Sequence, residues 1–470
     1  MDISTSLPEL LDPSLWVYKS EGNANIVLSY AGSDPKYAGI VLRVRKTQNE
    51  RGIVSEDGDI FSLEHEHDFQ RHIISKLINS CYISQMQLIR VTPTFLIALS
   101  NSLSTVRPPS RQHKDLDTSQ PWAALMSDHT IVPELQINDR AHAESNPETH
   151  GLESSESLPK VIAVEIKPKW GFLPVSPVIN PAHSVKYTTC RYCMHQHWKG
   201  RKHEHHIQSS FCPLDLYSKD PQRVRTSLKS LLRSPQNNLK LFVDGMPIML
   251  GQGQSIDKSF SVLESFFRRI VGESEAPNVA GVDHLVDLLT TIIVSDSLLQ
   301  MLKYHQQNLD QYDIEGIFPW YDKLELDTKL HDPSIAEWNE IVQTYLRRIS
   351  SPDAEMPRDW AECSLTEQLH YIYEFVLSAT LKDCSVIITL WPEAEEDSYG
   401  RIRCDPGEGE GTIQLPSSTR LLRYKIRIVD IDPKRLGKIP SYFALDQNIV
   451  RHFRTLNVHK DCSLQSFTFP

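Results

Sequence analysis

The chain has 470 residues, more than one hydrophobic core usually serves, so two or more packed units are expected. Its 40% hydrophobic and 23% charged content excludes a disordered or fibrous chain. Lys plus Arg number 49 against 60 Asp plus Glu, and the formal charge of -11 argues against a surface that wraps nucleic acid, while leaving room for a local basic pocket.

The first 135 residues read as a β-rich unit. Ile26 to Tyr30 and Ile40 to Val44 flank AGSDPKYAG, which predicts a hairpin. Between His65 and Ile83, Phe69, Ile73, Ile74 and Leu77 take the spacing of one buried helical face, and Phe95 to Leu99 reads as a strand. Ser127-Asp128-His129 then marks a crossing between units. Residues 136–160 are polar and interrupted by Pro and Gly, which predicts an exposed insertion.

Residues 161–460 read as a larger mixed α/β unit, with 461–470 as a tail. VIAVEIKPKWGFLP opens it as a buried strand leading to a turn, and VDHLVDLLTTIIVSDSLLQML reads as one largely buried helix. Ser364 and Glu367 have capping-box spacing before a helix that should end near Lys382-Asp383. SVIITLW and LRYKIRIVDID follow as strands around the loop PEAEEDSYGRIRCDPGEGEG. The fold class is α+β.

The N-terminus MDISTSLPELLDPSLW lacks a basic and apolar leader, and no run reaches the roughly 20 apolar residues of a membrane span. A soluble intracellular chain is expected. The eight cysteines suit that setting, because only Cys190, Cys193 and Cys212 cluster.

Several segments carry groups suited to phosphate chemistry. Gly22-Asn23-Ala24-Asn25 precedes a strand, so its backbone N–H groups could cradle phosphate, although a surface turn would look the same. Arg43, Arg45 and Lys46 follow on the next strand. If Glu165 to Lys169 is extended, Glu165, Lys167 and Lys169 project to one side. Asn237, Asn238, Lys240 and Asp244 surround a strand and turn. Asp383 stands where a helix gives way to a strand and can accept a hydroxyl proton. Asp430 and Asp432 can face one side of an extended chain and hold Mg²⁺, with Lys434, Arg435 and Lys438 beyond them. Cys190, Cys193 and Cys212 with one histidine of the 203–206 region, His206 in the simplest set, could close a Zn²⁺ site. Reduced structural cysteines are the alternative.

In order, EGNANIVLSYAGSDPKYAG, VLRVRK, VEIKPKWGFLP, RYCMHQHWK, PLDLYS, PQNNLKLFVDG, KDCSVIITL and IVDIDPK resemble the inositol-pentakisphosphate 2-kinase family from about Ser14 to Arg451. The resemblance implies a two-lobe, divergent protein-kinase-like fold with an enlarged inositol-phosphate-binding C-terminal lobe. It implies ATP- and Mg²⁺-dependent phosphorylation of the 2-hydroxyl of inositol 1,3,4,5,6-pentakisphosphate to inositol hexakisphosphate. A non-catalytic inositol-polyphosphate scaffold is the alternative.

By the same resemblance, Gly22, Asn23, Ala24 and Asn25 form the nucleotide-phosphate loop and Arg43 takes the cationic position of the kinase lysine. Asp128 and His129 lie near the adenine hinge, and Asn238 is a polar site residue serving nucleotide or substrate. Asp383 becomes the acceptor base and Asp430 the principal Mg²⁺ ligand, with Asp432 as a second candidate. Lys167, Lys169, Lys434, Lys438 and Tyr442 fall at substrate-binding positions, with Arg191, His195, Lys199 and Lys202 as further contacts. Lys438 stands where the family has arginine, which keeps the charge but not the bidentate fork. The zinc ligands of plant relatives do not map onto Cys190, Cys193 and Cys212. A monomer in the nucleus, with the cytoplasm as a second compartment, is the remaining expectation.

Overall fold

Alternating apolar segments early in the chain and apolar strands later build two separate antiparallel sheets. The computed structural model describes residues 7–47, 62–135, 159–202, 207–249, 256–271, 281–328, 330–350, 359–393, 409–416, 418–456, 458 and 460–463. The first sheet comes from β1 (Trp16–Glu21), β2 (Asn25–Tyr30), β3 (Ile40–Arg45), β4 (Met86–Arg90) and β5 (Trp122–Ser127), in the order β1-β2-β3-β5-β4. The expected hairpin is β2 and β3, with Leu28 opposite Leu42.

Two helices serve this sheet, α1 (Leu63–His72) and α2 (Pro93–Leu103). Phe95 to Leu99, expected as a strand, lies inside α2. Thr92 caps that helix by accepting from Phe95 N at 3.2 Å, and Pro93 occupies its first turn. Phe95, Leu96, Leu99 and Leu103 then bury one face in the smaller core. A five-residue apolar run fits either period, and the Thr-Pro start decides for the helix. Helix α1 ends at His72, and a 3-10 turn, Ile74–Lys76, continues the apolar run. Phe69, Ile73, Leu77 and Tyr82 pack into the larger core, so the first 135 residues contribute to both.

The second sheet comes from β6 (Ile162–Ile166), β7 (Leu239–Val243), β8 (Met246–Met249), β9 (Ser385–Pro392), β10 (Glu410–Gln414) and β11 (Leu421–Val429). Its order is β10-β11-β9-β6-β7-β8, with every neighbouring pair antiparallel. Around it in the chain lie α3 (Arg191–Lys202), α4 (Pro213–Leu216), α5 (Pro221–Arg233), α6 (Ile256–Val271), α7 (Gly281–Ser295), α8 (Leu298–Asn308), α9 (Asp313–Thr328), α10 (Ile335–Ile349), α11 (Leu365–Lys382) and α12 (Ile439–Thr455). The result is a mixed α+β protein. The expected insertion falls almost wholly outside the described residues, as do 394–408 of the loop before β10.

The single long helix expected after Val282 is two helices, α7 and α8, bent by 56°. Asp296 makes the break: its carboxylate accepts from Leu298 N at 2.8 Å and from the Tyr82 hydroxyl at 3.0 Å. A side chain that captures a nearby backbone N–H offers the chain an alternative to continuing the helix. Among the described residues, no single helix is long and apolar enough to cross a membrane.

The capping box at α11 forms as expected, with Ser364 accepting from Glu367 N and the Glu367 carboxylate from Ser364 N. Ser364→Ala should therefore lower stability by about 1 kcal/mol, seen as a lower urea midpoint at unchanged slope. An unchanged midpoint would mean that tertiary packing alone fixes where the helix starts.

Candidate active site

Strand register brings the chemistry together. Ile166 at the end of β6 faces Val386 near the start of β9, and Ser385 faces Val429 at the end of β11. Lys167, Asp383 and Asp430 therefore leave the sheet on the same side. Lys167 Nζ donates to Asp430 Oδ2 at 2.9 Å, and Ser385 Oγ lies 3.1 Å from both Asp430 Oδ2 and Glu165 Oε1. Lys169 Nζ donates to Asp383 Oδ1 at 3.2 Å and Lys434 Nζ to Oδ2 at 2.9 Å.

Two local expectations change. The strand stops at Ile166 and Lys169 takes φ 63, so Glu165, Lys167 and Lys169 do not share one extended edge. Glu165 instead binds Lys240 at 2.8 Å. Asp430 has φ 59, and this bend sends its carboxylate to Lys167 while Asp432 reaches Arg43 Nη2 at 2.5 Å. The two aspartates do not face one side of an extended chain.

The charges are matched. Burial pushes the Asp383 carboxyl up, but the Lys434 and Lys169 ammonium groups outweigh it and hold the group below the usual carboxylate range. Burial acts against Asp430 ionisation too, and the nearby Lys167 lowers it to about 2. Asp432 Oδ1 is buried with no hydrogen-bond partner among the described residues.

Arg43 on β3 links this edge to the first sheet. Besides Asp432, its Nη2 donates to Glu66 Oε2 at 3.2 Å, and Glu66 Oε1 binds Arg45 Nη1 at 2.6 Å. Burial pushes the Glu66 carboxyl up, and the two guanidiniums oppose that. Glu66 was not singled out in the sequence, although an acidic residue three positions before Phe69 on the apolar face of α1 was a usable signal. Arg45 and Lys46 do not form the expected phosphate row with Arg43: Arg45 is held by Glu66, and Lys46 is buried against Glu21 at 2.5 Å.

Gly22 to Asn25 form the turn between β1 and β2, closed by Gly22 N donating to Asn25 O at 2.9 Å, with open space beside Gly22. Asn25, its carboxamide oxygen turned inward, accepts from Arg43 Nε at 2.9 Å. Asp128 is committed to structure, since its carboxylate takes Lys19 Nζ at 2.7 Å and Thr130 N at 2.9 Å. His129 is neutral, its ring lowered to about 3 by burial with Lys425 and Arg427 nearby.

Next to Asp383 lies a cavity of about 280 Å³. Lys169, Arg191, His195, Lys199, Asn238, Lys434 and Tyr442 line it with Asp383. Asn238 thus belongs to the cavity, where its Nδ2 donates to the Tyr192 hydroxyl at 2.8 Å. Burial, with Lys169 nearby, lowers the Lys199 ammonium. Two expected lysines are outside the lining: Lys167, which is paired with Asp430 at its edge, and Lys438, which is exposed and ends a 3-10 turn, Leu436–Lys438, before α12. The Lys202 side chain lies outside the described residues.

Trp170, Tyr192, Lys382 and Asp446 also line the cavity and were not anticipated. Arg191 and Lys382 lie 5.1 and 4.2 Å from the Trp170 ring centroid. Asp446 lies 3.4 Å from Arg191 Nε and 2.9 Å from the buried Lys186 Nζ. Trp170 was legible as the neighbour of Lys169, whereas Asp446 comes from α12 and no local pattern marks it.

Cys190, Cys193, Cys212 and Cys462 form one buried group whose sulfur atoms all lie within 4.8 Å of one another. Among the described residues the fourth member is a cysteine of the C-terminal segment; the histidines of the 203–206 region, His206 included, lie outside the described residues. Cys462 N donates to Thr188 O at 2.8 Å, which docks that segment beside the start of α3. Long-range closure of this kind leaves no spacing pattern in the sequence.

A family profile described as Inositol-pentakisphosphate 2-kinase matches residues 18–448. The chain is 30% identical over 462 residues to a rice protein (Oryza sativa subsp. indica) named inositol-pentakisphosphate 2-kinase, with 94% of each chain covered. It is similar at 27% identity over 468 residues to the protein of that name from Arabidopsis thaliana, and at 26% over 502 residues to the one from Danio rerio, again with 94% of each chain covered. Because the match spans the β2–β3 hairpin, the joined ends of β6, β9 and β11 and the cavity beside them, the chain belongs to the inositol-pentakisphosphate 2-kinase family.

Proposed function

We propose that the cavity beside Asp383 binds inositol 1,3,4,5,6-pentakisphosphate and that the chain transfers the γ-phosphoryl group of ATP to its 2-hydroxyl, giving inositol hexakisphosphate and ADP. The carrying observation is the Asp383 carboxylate at a cavity lined by Lys169, Arg191, His195, Lys199 and Lys434. A net charge of -11 does not oppose this, because these cations are gathered in one pocket.

In this reading the first sheet with α1 and α2 forms a nucleotide-side lobe and the second sheet with its helices an enlarged substrate lobe, a divergent protein-kinase arrangement. Gly22 to Asn25 offer backbone N–H groups to ATP phosphates, and Arg43, fixed by Glu66, supplies positive charge. The hydroxyl oxygen forms a bond to the γ-phosphorus as the bond to the β-phosphate oxygen breaks, and Asp383 takes the hydroxyl proton. Lys167, Lys169, Arg191, His195, Lys199, Lys434 and Tyr442 hold the substrate's phosphates.

Asp430 is held ionised and Asp432 has a buried oxygen without a protein partner, a donor set that suits a hard divalent cation. Mg²⁺ there would neutralise charge on the transferred phosphoryl group. The four clustered cysteines suit structural Zn²⁺, which would tie the C-terminal segment to α3.

Incubation with ATP, Mg²⁺ and inositol pentakisphosphate, with the product's phosphate positions assigned, tests the reading. Transfer to the 2-position supports it, and binding without product rejects it. Asp383→Asn should lower kcat by roughly 10²–10⁴-fold, and near-wild-type turnover in that variant would remove Asp383 from its role. Lys167→Ala should weaken substrate binding by about 10–100-fold, the worth of one charge-assisted hydrogen bond, measured by calorimetry. Elemental analysis should find one zinc per chain in wild type and a loss in Cys462→Ser, together with a lower melting temperature. A metal-free wild-type protein whose melting is unmoved by chelator would count against the zinc assignment.

A further inference from the structure

Lys169 holds a left-handed backbone, φ 63, that residues with a Cβ rarely adopt, so its surroundings must hold it there. Its carbonyl accepts from Gln306 Nε2 at 3.0 Å and from the Tyr217 hydroxyl at 3.2 Å. Gln306 comes from α8, is completely buried, and does not line the cavity. The same Nε2 donates to Leu381 O at 3.0 Å, two residues before Asp383, and lies 3.2 Å from the Tyr217 hydroxyl. Gln306 Oε1 accepts from Gly171 N at 2.9 Å.

Only a carboxamide meets this set, with an acceptor toward one N–H and a donor toward two carbonyls, and the contacts fix which end is which. Ser378 Oγ on α11 adds a bond to Gln306 O at 2.8 Å. Gly171 lets the turn lie flush, since a Cβ there would come within 2.6 Å of the Tyr217 ring.

We infer that Gln306 is a positioning residue for phosphoryl transfer: its carboxamide joins the Lys169 turn to the Leu381–Asp383 turn and thereby sets the approach of the Lys169 ammonium to the Asp383 carboxylate. This rests on the proposed kinase reading. Burial raises the Asp383 carboxyl while Lys434, Lys169 and the nearby Lys167 lower it, so slackening the joint weakens the Lys169 share and lets that group titrate at higher pH.

The test compares kcat and kcat/KM against pH for wild type, Gln306→Leu, Lys169→Met and the double variant, with circular dichroism and melting to confirm folding. Gln306→Leu is expected to lower kcat by roughly 10–100-fold, the scale of a misplaced reacting group, and to move the acid limb of kcat/KM to higher pH. On the Lys169→Met background the same change should cost much less. A folded Gln306→Leu enzyme with an unmoved acid limb, or an undiminished loss on that background, overturns the inference. If Gln306→Leu does not fold, Tyr217→Phe decides, because it removes one of the two donors to Lys169 O: a smaller shift of the acid limb in the same direction supports the inference, and none overturns it. A wild-type protein that makes no inositol hexakisphosphate is a different result, which defeats the kinase reading and the inference with it.

Discussion

The site depends on the antiparallel register of β6, β9 and β11. Pairing of Ile166 with Val386 and of Ser385 with Val429 leaves no choice about where Lys167, Asp383 and Asp430 emerge. A slip of one residue would turn side chains to the opposite face of the sheet. The alternating strand β11 opposes such a slip, because its buried Leu422, Tyr424, Ile426 and Ile428 would turn to the more exposed face. Core packing and the geometry of the site are therefore enforced by the same contacts.

Charge matching is the second constraint. Arg43 is paired with Asp432 and Glu66, Lys167 with Asp430, and Lys169 and Lys434 with Asp383. Groups taken partly out of water need such partners, since an isolated buried charge is costly. The lysine pairings also hold the Asp383 and Asp430 carboxyls below the usual carboxylate range.

Much of this could be read along the chain. The hairpin before Arg43, the capping box before α11, the alternation of β11 and the residues Lys167, Lys169, Asp383 and Asp430 all depend on near neighbours. Phe95 to Leu99 misled because five apolar residues carry no period, and the long helix misled because Asp296 breaks it through a side-chain bond. Glu66 hid as a charge on an apolar helical face. Asp446, Gln306 and Cys462 left no local mark, because their partners lie far away in the chain.

The sequence by itself determined that the chain is α+β, that cationic and carboxylate groups suited to phosphate chemistry gather in a few segments, and that the order of these segments matches one kinase family. Each rests on periodicity, capping or motif spacing, which act over a few residues. Only the tertiary structure decided that Arg43 is anchored by Glu66, that Lys438 stands apart from the cavity, that Cys462 completes the cysteine group, and that Gln306 joins the two turns of the site. Those outcomes depend on which distant elements share a core and a strand edge, and packing settles that where local spacing has no say.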